Sequence, residues 1–445
     1  MPSSEQPTAD HHESALLHKI AAREARVAIF GLGYVGLPLA TEFALAGFRV
    51  WGVDVDPARV EAVNRGDSYI ADVNGAILAG VVAKGLLRAS TDPAVVREAD
   101  AVIICVPTPL RKTKDPDVSF IVAAVEQVRA HARAGQLIVL ESTTYPGTCE
   151  ELVAPMLGEG GLEVGREVFL AFSPERVDPG NKRFTTRNIP KVVGGINQPS
   201  TRVACALYAQ VIERVHPVSS TRTAEMVKLL ENTFRSVNIG LINELALICD
   251  RMGLDVWEVI EAASTKPFGF MPFYPGPGLG GHCLPIDPLY LSWKAKLLDV
   301  EASFIDLAAK VNAAMPRHVV EKVAAALNDD SKPVRGARIL ILGVAYKRDV
   351  ADIRESPALD IIKHLAARGA VLAYSDPHVP KLRYDGLEMD SVALTPEALA
   401  GADCVVIVAN HAAFDYPAVV SHARLVVDTR NATRGCAGPA RIVKL

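Results

Sequence analysis

The residues best suited to chemistry lie in a loop rich in Gly and Pro near the middle of the chain. The loop reads Tyr274-Pro-Gly-Pro-Gly-Leu-Gly-Gly-His-Cys283-Leu-Pro-Ile-Asp287, a composition that neither a helix nor a strand tolerates. The sequence therefore predicts an exposed turn that presents the Cys283 thiol. A cysteine thiolate can trap an aldehyde and hold it for a second oxidation, provided that the chain also binds a redox cofactor. The alternative is that Cys283 is an incidental cysteine in a structural loop.

A redox cofactor is predicted by a glycine motif near the N-terminus. Gly31, Gly33 and Gly36 follow an apolar strand and precede a helix-forming stretch, and Asp54 closes the next strand. In such a motif the first Gly makes the tight turn, the second admits the pyrophosphate and the third allows helix packing, while the acidic residue accepts hydrogen bonds from the adenosine ribose. An acidic group there favours NAD over NADP, although the nearby Arg59 is a cation that NADP would use. The candidate cofactor-binding residues of this region are Gly31, Gly33, Tyr34, Val35, Gly36, Asp54 and Arg59.

The elements that must position these residues follow from hydrophobic patterning. Short β-branched runs alternate with helical stretches, which predicts a parallel sheet with helices on both faces. The predicted strands cover residues 27–30, 50–53, 101–106, 137–140 and 168–172 in the first part of the chain, and 339–342, 371–374, 404–408 and 425–427 in the last part. Between them, residues 223–252 lack Pro, show helical apolar spacing and end at Gly253, which predicts one helix of about thirty residues.

The predicted fold class is therefore α/β, with two Rossmann-like doubly wound domains joined by a central helical section that contains one long helix. The predicted boundaries are a tail at 1–25, an NAD-binding domain at 26–212, a central dimerisation and catalytic section at 213–330, and a Rossmann-like domain at 331–445. The excess apolar surface of the long helix predicts a homodimer or a higher homo-oligomer.

The second Rossmann-like segment carries a weaker version of the glycine motif. It reads Gly343-Val-Ala-Tyr346-Lys347, and its second strand also ends at an acid, Asp376. Without the second and third glycines the backbone cannot approach a pyrophosphate as closely, so we expect this domain to have lost dinucleotide binding. The cationic Lys347 indicates a phosphate or an anionic sugar nucleotide instead.

Polar residues at strand ends and on the long helix are further candidates. Thr108 and Thr143 lie in loops whose hydroxyls can reach a cofactor, although turn formation explains such loops equally well. Glu175 and Arg176 follow the next strand, where the alternative is a surface ion pair. Lys228 and Asn232 lie four residues apart on one face of an apolar helix, which predicts a cavity wall that stabilises an oxyanion or holds water, although a solvated stripe gives the same spacing.

Composition excludes several classes of partner. A chain of 445 residues predicts two or three domains, and 49% hydrophobic and 22% charged residues are typical of a soluble globular protein. The net charge of −4 argues against nucleic acid and anionic membranes, and neither a membrane span nor a signal peptide is predicted. The seven cysteines show no CxxC pair and no zinc spacing, so no metal is expected and the cytoplasm is the predicted compartment.

Taken together, these motifs resemble the nucleotide-sugar 6-dehydrogenases, the family of UDP-glucose and GDP-mannose dehydrogenases. The resemblance runs from Val27 almost to the C-terminus. It rests on Gly-Leu-Gly-Tyr-Val-Gly-Leu-Pro at 31–38, Val-Pro-Thr-Pro at 106–109, Ser-Pro-Glu-Arg at 173–176, Glu-Met-Val-Lys-Leu-Leu-Glu-Asn at 225–232, the Gly-Gly-His-Cys loop, and the segment from Lys347 to Arg-Glu-Ser-Pro at 354–357.

The resemblance implies a role for each candidate. Cys283 is implied to be the nucleophile, Lys228 and Asn232 to polarise the reacting oxygen, and Glu175, Asp287 and Thr143 to serve as acid, base and water-ordering groups. Asp54, Thr108, Thr143 and Arg354 are implied to contact NAD. The implied substrate site comprises Glu175, Arg176, Val177, Lys228, Asn232, Tyr274, Gly276, Gly278, Tyr346, Lys347 and Arg430.

Two departures from UDP-glucose dehydrogenase indicate the sugar. Ser-Pro-Glu-Arg-Val-Asp-Pro-Gly at 173–180 replaces an Asn-Pro-Glu-Phe-Leu pattern, and His282 and Ile286 replace Ser and Lys around the cysteine. This variant is similar to the branch that acts on N-acetylated amino sugars, which predicts UDP-N-acetylglucosamine as the substrate, with UDP-N-acetylmannosamine or UDP-glucose as alternatives.

The predicted reaction is a four-electron oxidation at the sixth carbon through a Cys283 thiohemiacetal and thioester, for polysaccharide precursors. A two-electron dehydrogenase and a non-catalytic nucleotide-sugar sensor are the competing hypotheses.

Overall fold

The computed structural model describes residues 9–70, 72–111, 115–178, 181 and 183–445. Residues 1–8 of the predicted tail lie outside this range, as do Pro179 and Gly180 of the loop used in the sugar comparison. The chain divides into two compact units. The first contains Met1–Glu231 and Trp293–Leu298, and the second contains Asn232–Ser292 and Asp299–Leu445.

The first unit is built on an eight-stranded sheet in the order β3-β2-β1-β4-β5-β6-β7-β8. Its strands are β1 Arg26–Phe30, β2 Arg49–Val53, β3 Leu87–Ser90, β4 Ala101–Ile104, β5 Leu137–Leu140, β6 Phe169–Phe172, β7 Lys191–Gly195 and β8 Val215–Val218. Neighbouring strands are parallel except β6 and β7. Along β1, Ile29 packs in one buried cluster and Ala28 in another, so both faces of the sheet are covered. This is the doubly wound architecture predicted from the sequence.

Helices cover the two faces of this sheet. They are α1 Ala9–Ala21, α2 Gly36–Leu45, α3 Pro57–Arg65, α4 Gly75–Ala83, α5 Ser119–Arg129, α6 Ala154–Gly158 and α7 Gln198–Tyr208, with a 3-10 turn at Pro93–Glu98 and a π-helical turn at Cys149–Val153. Helix α1 lies in the stretch that the sequence analysis assigned to a tail. It is ordered because Leu16 and Ile20 are buried in the core and Glu13 forms a bidentate ion pair with Arg202 of α7, at 2.6 and 2.8 Å.

The long central helix, α8, runs from Thr221 to Met252, two residues longer at its start than the sequence predicts. The helices after it are α9 Val256–Ser264, α10 Asp287–Lys296, α11 Ser303–Asp329, α12 Pro357–Ala367, α13 Pro396–Gly401 and α14 Tyr416–His422. No helix in the described part of the chain is both long enough and apolar enough to cross a bilayer.

The second unit contains a five-stranded parallel sheet in the order β10-β9-β13-β14-β15 and a two-stranded antiparallel hairpin, β11-β12. These strands are β9 Arg338–Leu342, β10 Val371–Ser375, β11 Lys381–Tyr384, β12 Leu387–Asp390, β13 Cys404–Ile407, β14 Leu425–Asp428 and β15 Arg441–Lys444. Alternate residues of β9 again belong to different buried clusters, Ile339 to one and Leu340 to the other. The predicted second doubly wound sheet is confirmed.

Candidate active site

The glycine turn between β1 and α2 has the geometry of a pyrophosphate-binding loop. Gly31 adopts φ +89°, and a Cβ there would lie 2.6 Å from the Cys105 carbonyl oxygen. A Cβ at Gly36 would lie 1.8 Å from the Gly31 oxygen, so only Gly permits this close turn. At Gly33, in contrast, no atom lies within 4 Å of where a Cβ would be. The space beside Gly33, close to the N-terminal end of α2, fits the pyrophosphate of a dinucleotide.

Asp54 lies at the end of β2, next to this turn, and is buried. Its Oδ2 accepts a hydrogen bond from Leu32 N at 2.7 Å, and its Oδ1 accepts one from Asp56 N at 3.0 Å. The Arg59 guanidinium lies 3.5 Å from Oδ2 and is half exposed. Since a carboxylate has about four acceptor positions, Asp54 retains capacity for the ribose hydroxyls of NAD. The residues present in the first unit therefore fit this cofactor.

The corresponding acid of the second unit, Asp376, is held by more hydrogen bonds than Asp54. Its two oxygens accept hydrogen bonds from four backbone N–H groups, those of Val344, Ala345, His378 and Val379, at 2.7–3.1 Å. The buried His411 adds a fifth contact, with Nε2 3.1 Å from Oδ2. Burial acts to raise the pKa of Asp376, but the hydrogen bonds from His411 and from these backbone N–H groups outweigh it and lower the pKa. These contacts leave Asp376 little capacity for ribose hydroxyls, and the loss of dinucleotide binding by this domain stays a prediction.

Three buried charges meet at the carboxyl edge of the first sheet. Lys191 Nζ lies 3.0 Å from Glu141 Oε2 and 3.4 Å from Glu175 Oε2. Glu175 Oε1 also accepts hydrogen bonds from the backbone N–H groups of Arg176 and Val177, at 2.7 and 2.6 Å. Burial acts to raise the pKa of Glu175, but Lys191 and these hydrogen bonds outweigh it, so the pKa is lowered and Glu175 is ionised at neutral pH.

Arg176, by contrast, is not paired with Glu175. Its guanidinium forms a bidentate ion pair with Glu231 of α8, with a shortest distance of 2.6 Å, and also donates to the Pro190 carbonyl oxygen at 2.6 Å. The alternative reading of Glu175 and Arg176 as a surface ion pair was therefore wrong. Each of the two side chains has a different partner, and the pairs hold the loop after β6 in place.

Lys228 of α8 reaches the same loop. Its side chain is buried, with the residue 8% exposed, and Nζ donates to the Glu175 carbonyl oxygen at 2.6 Å. One turn earlier on α8, the fully buried Glu225 accepts hydrogen bonds from Gly147 N at 2.5 Å and from Cys149 N at 2.9 Å. Glu225 thus anchors the loop that carries Thr143 to the helix that carries Lys228.

In the second unit, the structure brings together Asn232, Asp287 and the Cys283 turn. Asn232 is 6% exposed and donates from Nδ2 to Asp287 Oδ2 at 2.5 Å. The alternative of a solvated stripe on α8 was therefore wrong for both Lys228 and Asn232. The Cys283 carbonyl oxygen accepts a hydrogen bond from Asp287 N at 2.8 Å, so Cys283 stands at the N-terminal end of α10, where helix dipoles favour negative charge. The residue is partly exposed.

The Gly-rich loop before Cys283 packs against the Rossmann-like part of the same unit. A Cβ at Gly276 would lie 2.6 Å from Arg430 Nη1, and a Cβ at Gly281 would lie 2.7 Å from the Tyr346 ring. Burial lowers the pKa of Arg430 to about 10, and the nearby Asp428 only partly opposes this. A guanidinium so poorly solvated suits an anionic ligand such as a diphosphate. Tyr274 stacks on Trp257, with ring centroids 5.8 Å apart, and is half exposed.

For the remaining candidate residues the structure gives a position but does not test the predicted role, which stays a prediction. Thr108 is buried and Thr143 is partly buried at the edge of the first sheet, whereas Tyr34 and its neighbour Val35 follow Gly33 in the turn. Lys347 is partly buried beside Tyr346, and Gly278 adopts φ +135°. Arg354 forms a 2.6 Å ion pair with Asp352.

Sequence analysis missed four residues that shape these sites, namely Glu141, Lys191, Tyr208 and Glu225. Glu225 is the first residue of the motif at 225–232, and Glu141 directly follows the predicted strand at 137–140, but neither was given a role. Lys191 begins an otherwise apolar strand, and a charge at the start of a buried strand is the signal that could have found it.

Within the described residues, one group of side chains has the composition of a metal site. It consists of Asp349, His378 and His411, whose potential ligand atoms lie within 4.8 Å of one another. His411 Nδ1 already accepts a hydrogen bond from Asp349 N at 2.9 Å, and its Nε2 contacts Asp376. Hydrogen bonding accounts for this group, and we assign it no metal.

These features define a class of protein, an NAD-dependent oxidoreductase with a separate site for an anionic substrate. Comparison with known proteins identifies the family. The UDP-glucose/GDP-mannose dehydrogenase family matches through its NAD binding domain at residues 25–212, its central domain at 222–314 and its UDP binding domain at 340–435.

Individual relatives agree with this match. The chain is 36% identical over 427 residues to a UDP-N-acetyl-D-mannosamine dehydrogenase of Salmonella typhimurium, covering 92% of this chain and 99% of the relative. It is 36% identical over 359 residues to a UDP-N-acetyl-D-glucosamine 6-dehydrogenase of Pseudomonas aeruginosa, covering 80% and 84%. The solved structure of a UDP-D-ManNAc dehydrogenase from Pyrococcus horikoshii superposes with a TM-score of 0.86 at 32% identity, covering 94% of this chain and 98% of that one.

The chain belongs to the UDP-glucose/GDP-mannose dehydrogenase family. It is an NAD-dependent nucleotide-sugar dehydrogenase with a UDP binding domain, and the family resemblance found in the sequence is confirmed.

Proposed function

We propose that the protein oxidises the C6 hydroxymethyl group of a UDP-N-acetylhexosamine to a carboxylate, with Cys283 as the nucleophile. The observation that carries this proposal is the arrangement in the second unit. There a partly exposed cysteine stands at the N-terminal end of α10, and the adjacent Asp287 carboxylate is held by Asn232 at 2.5 Å. A two-electron dehydrogenase or a nucleotide-sugar sensor has no use for a nucleophile beside a fixed carboxylate.

The proposed reaction is a four-electron oxidation that proceeds in two hydride transfers. NAD⁺ would accept each hydride, and two equivalents are consumed for each sugar. The C6 alcohol loses a hydride and a proton to give an aldehyde, and the Cys283 thiolate then forms a C–S bond to the aldehyde carbon. Loss of a second hydride, which the second NAD⁺ would accept, together with the hydroxyl proton converts this thiohemiacetal to a thioester. Water then breaks the C–S bond, which releases the carboxylate and regenerates the thiol.

Lys228 and Asn232 are the proposed donors to the oxygen at C6, because both are buried and each is held by a hydrogen bond, Lys228 to the Glu175 carbonyl oxygen and Asn232 to Asp287. Glu175 and Asp287 are proposed to orient the hydrolytic water, and Thr143 to assist. For Glu175 this role follows from its lowered pKa, since a carboxylate that stays ionised accepts hydrogen bonds from water but donates no proton.

The sugar epimer is the finer part of the proposal. The sequence favours UDP-N-acetylglucosamine, whereas most of the similar relatives are named for N-acetylmannosamine and one for N-acetylglucosamine. Both epimers are therefore candidates of equal standing. They differ only in the configuration at C2, the carbon that carries the N-acetyl group, and both keep the diphosphate that Arg430 and Lys347 are proposed to bind.

We also propose that the protein is a homodimer that uses the exposed apolar face of α8. Large apolar side chains recur there at helical spacing with 39–66% of their surface exposed, namely Phe234, Leu241, Leu245, Ile248 and Met252. A second copy would bury this stripe.

A reducing compartment such as the cytoplasm is proposed as well, because the described cysteines form no disulfide.

The experiment that tests the function is an NADH assay with four substrates: UDP-glucose, UDP-N-acetylglucosamine, UDP-N-acetylgalactosamine and UDP-N-acetylmannosamine. The expected result is two NADH for each N-acetylhexosamine consumed. One NADH would instead identify a two-electron dehydrogenase, and none would identify a sensor. Activity with UDP-glucose alone would refute the assignment to N-acetylated sugars.

A further inference from the structure

Lys191 is a buried cation with no role in the reaction described so far. It is the first residue of β7, and its Nζ lies 3.0 Å from Glu141 Oε2 and 3.4 Å from Glu175 Oε2. Tyr208 donates its hydroxyl to the remaining oxygen of Glu141, and the Lys191 ammonium also lies 5.1 Å from the centre of the Tyr208 ring. The group therefore places two carboxyl groups and one ammonium group together in a region that is largely shielded from solvent.

The two carboxylates are held in different ways. Glu175 Oε1 is fixed by two backbone N–H groups, whereas Oε2 accepts a hydrogen bond from Lys191. Glu141 is fixed by Tyr208 and Lys191, and burial raises its pKa. Lys191 is thus shared, and its charge decides whether both acids can be ionised together.

From these contacts we propose that Lys191 is a positioning residue for the reaction: it holds Glu175 in one rotamer and keeps it ionised, so that Glu175 can orient the water that releases the acid. This inference rests on the proposed function of Glu175. Stability alone does not account for the group, because buried ion pairs are often no more stabilising than apolar residues of similar volume.

Several groups in the first unit face Glu175 and enter the argument about pH. They are Lys191 of β7, Glu141 after β5, Lys228 of α8, Tyr208 of α7, Cys105 after β4 and the neighbouring Arg176. Burial raises the pKa of both Cys105 and Tyr208, so these two are neutral over the working range. Lys228 donates to the Glu175 carbonyl and is a second cation near the carboxylate. The direction of each change in the pKa of Glu175 that is predicted below therefore depends on Lys191 and Glu141.

The test compares Lys191→Met, Lys191→Arg and Glu141→Gln with the wild-type protein. Removing an opposite charge at this distance raises the pKa of a carboxyl by about one to three pH units. In Lys191→Met the acidic limb of the rate of acid release should move upward by at least about one unit. In Glu141→Gln, Lys191 forms an ion pair with Glu175 only, so the acidic limb should move to lower pH. Lys191→Arg should keep the wild-type limb, because the charge is retained.

Two readouts separate this role from a general loss of structure. The first is the burst of NADH in a single turnover: Lys191→Met should retain both hydride transfers and slow only the release of acid. The second is infrared titration of the buried carboxyl groups without substrate, with Glu175→Gln used to assign the Glu175 band. The protonation midpoint of Glu175 should rise in Lys191→Met and fall in Glu141→Gln.

The possible outcomes distinguish this inference from the proposed function. Equal midpoints in wild type, Lys191→Met and Glu141→Gln would overturn the role of Lys191 even if two NADH are produced for each sugar. A shift of the Glu175 midpoint in the same direction in Lys191→Met and Glu141→Gln would also overturn this role. If wild type oxidises no UDP-sugar, the proposed function fails, and with it the inference. If Lys191→Met does not fold, the opposite shift in Glu141→Gln and the unchanged midpoint in Lys191→Arg still decide the question.

Discussion

Replacement of Gly33 by Ala tests the cofactor turn most directly. No atom lies within 4 Å of where its Cβ would be, and Gly33 has no positive φ, so the protein without NAD should accept the methyl group. Because Ala restricts the unfolded chain more than Gly, the free energy of unfolding should stay unchanged or rise by about 0.5 kcal/mol. The same methyl group would occupy the space that the pyrophosphate needs. We therefore expect a stable protein that binds NAD weakly.

The magnitude follows from the loss of close contact with the pyrophosphate. We expect the Kd for NAD to rise at least tenfold, which corresponds to about 1.4 kcal/mol. At an NAD concentration of about 100 times the wild-type Kd, the cofactor stabilises wild type by about 2.7 kcal/mol and the variant by only about 1.4 kcal/mol. Isothermal titration calorimetry gives the Kd, and urea denaturation with and without NAD gives the two stabilities.

Gly36→Ala is the matched control, because its Cβ would lie 1.8 Å from the Gly31 oxygen and 3.2 Å from Ile29. Overpacking at that site should cost about 1–3 kcal/mol in the free energy of unfolding even without NAD. The reasoning would be refuted by a Gly33→Ala protein that binds NAD as wild type does. It would also be refuted if Gly33→Ala and Gly36→Ala were equally unstable without cofactor.

Three further predictions concern the other sites. Cys283→Ser should bind NAD normally but release no acid, and two NADH per sugar from this variant would exclude a covalent intermediate. Glu225→Ala leaves the buried N–H groups of Gly147 and Cys149 without their acceptor, so urea denaturation should show a loss of about 1–3 kcal/mol; an unchanged stability would mean that α8 does not anchor that loop. The folded-state pKa of Asp376 is below its ordinary value of about 3.9, so its stabilisation is complete above about pH 4 and is lost as the pH falls through the folded pKa. Asp376→Asn should therefore be destabilised by about 1–3 kcal/mol at neutral pH and should lose less stability on acidification than wild type; parallel pH curves would contradict this.

Much of the fold could be predicted because its signals are local. The β-branched runs and the glycines at β1 and α2 are read from a few adjacent residues, and both doubly wound sheets were predicted from them. Several of the strands that were missed lack such signals, although β7, which contains Val192 and Val193, has one. β8 contains a proline, and β3 and β15 have charged residues at edge or near-edge positions. Helix α1 was missed because it is amphipathic only weakly and is ordered by Arg202, 189 residues away from Glu13.

For the candidate site, the sequence by itself determined the residue types that chemistry requires: a cysteine in a Gly-rich turn, a lysine and an amide on one helical face, and a glycine turn followed by an acid. Only the tertiary structure decided which charges meet. Lys191 and Glu141 are 50 residues apart, and Glu225 and Gly147 are 78 apart. No local pattern encodes such pairs, because burial and the distance between charges, which set the pKa of a carboxylate, exist only after the sheet and α8 have packed.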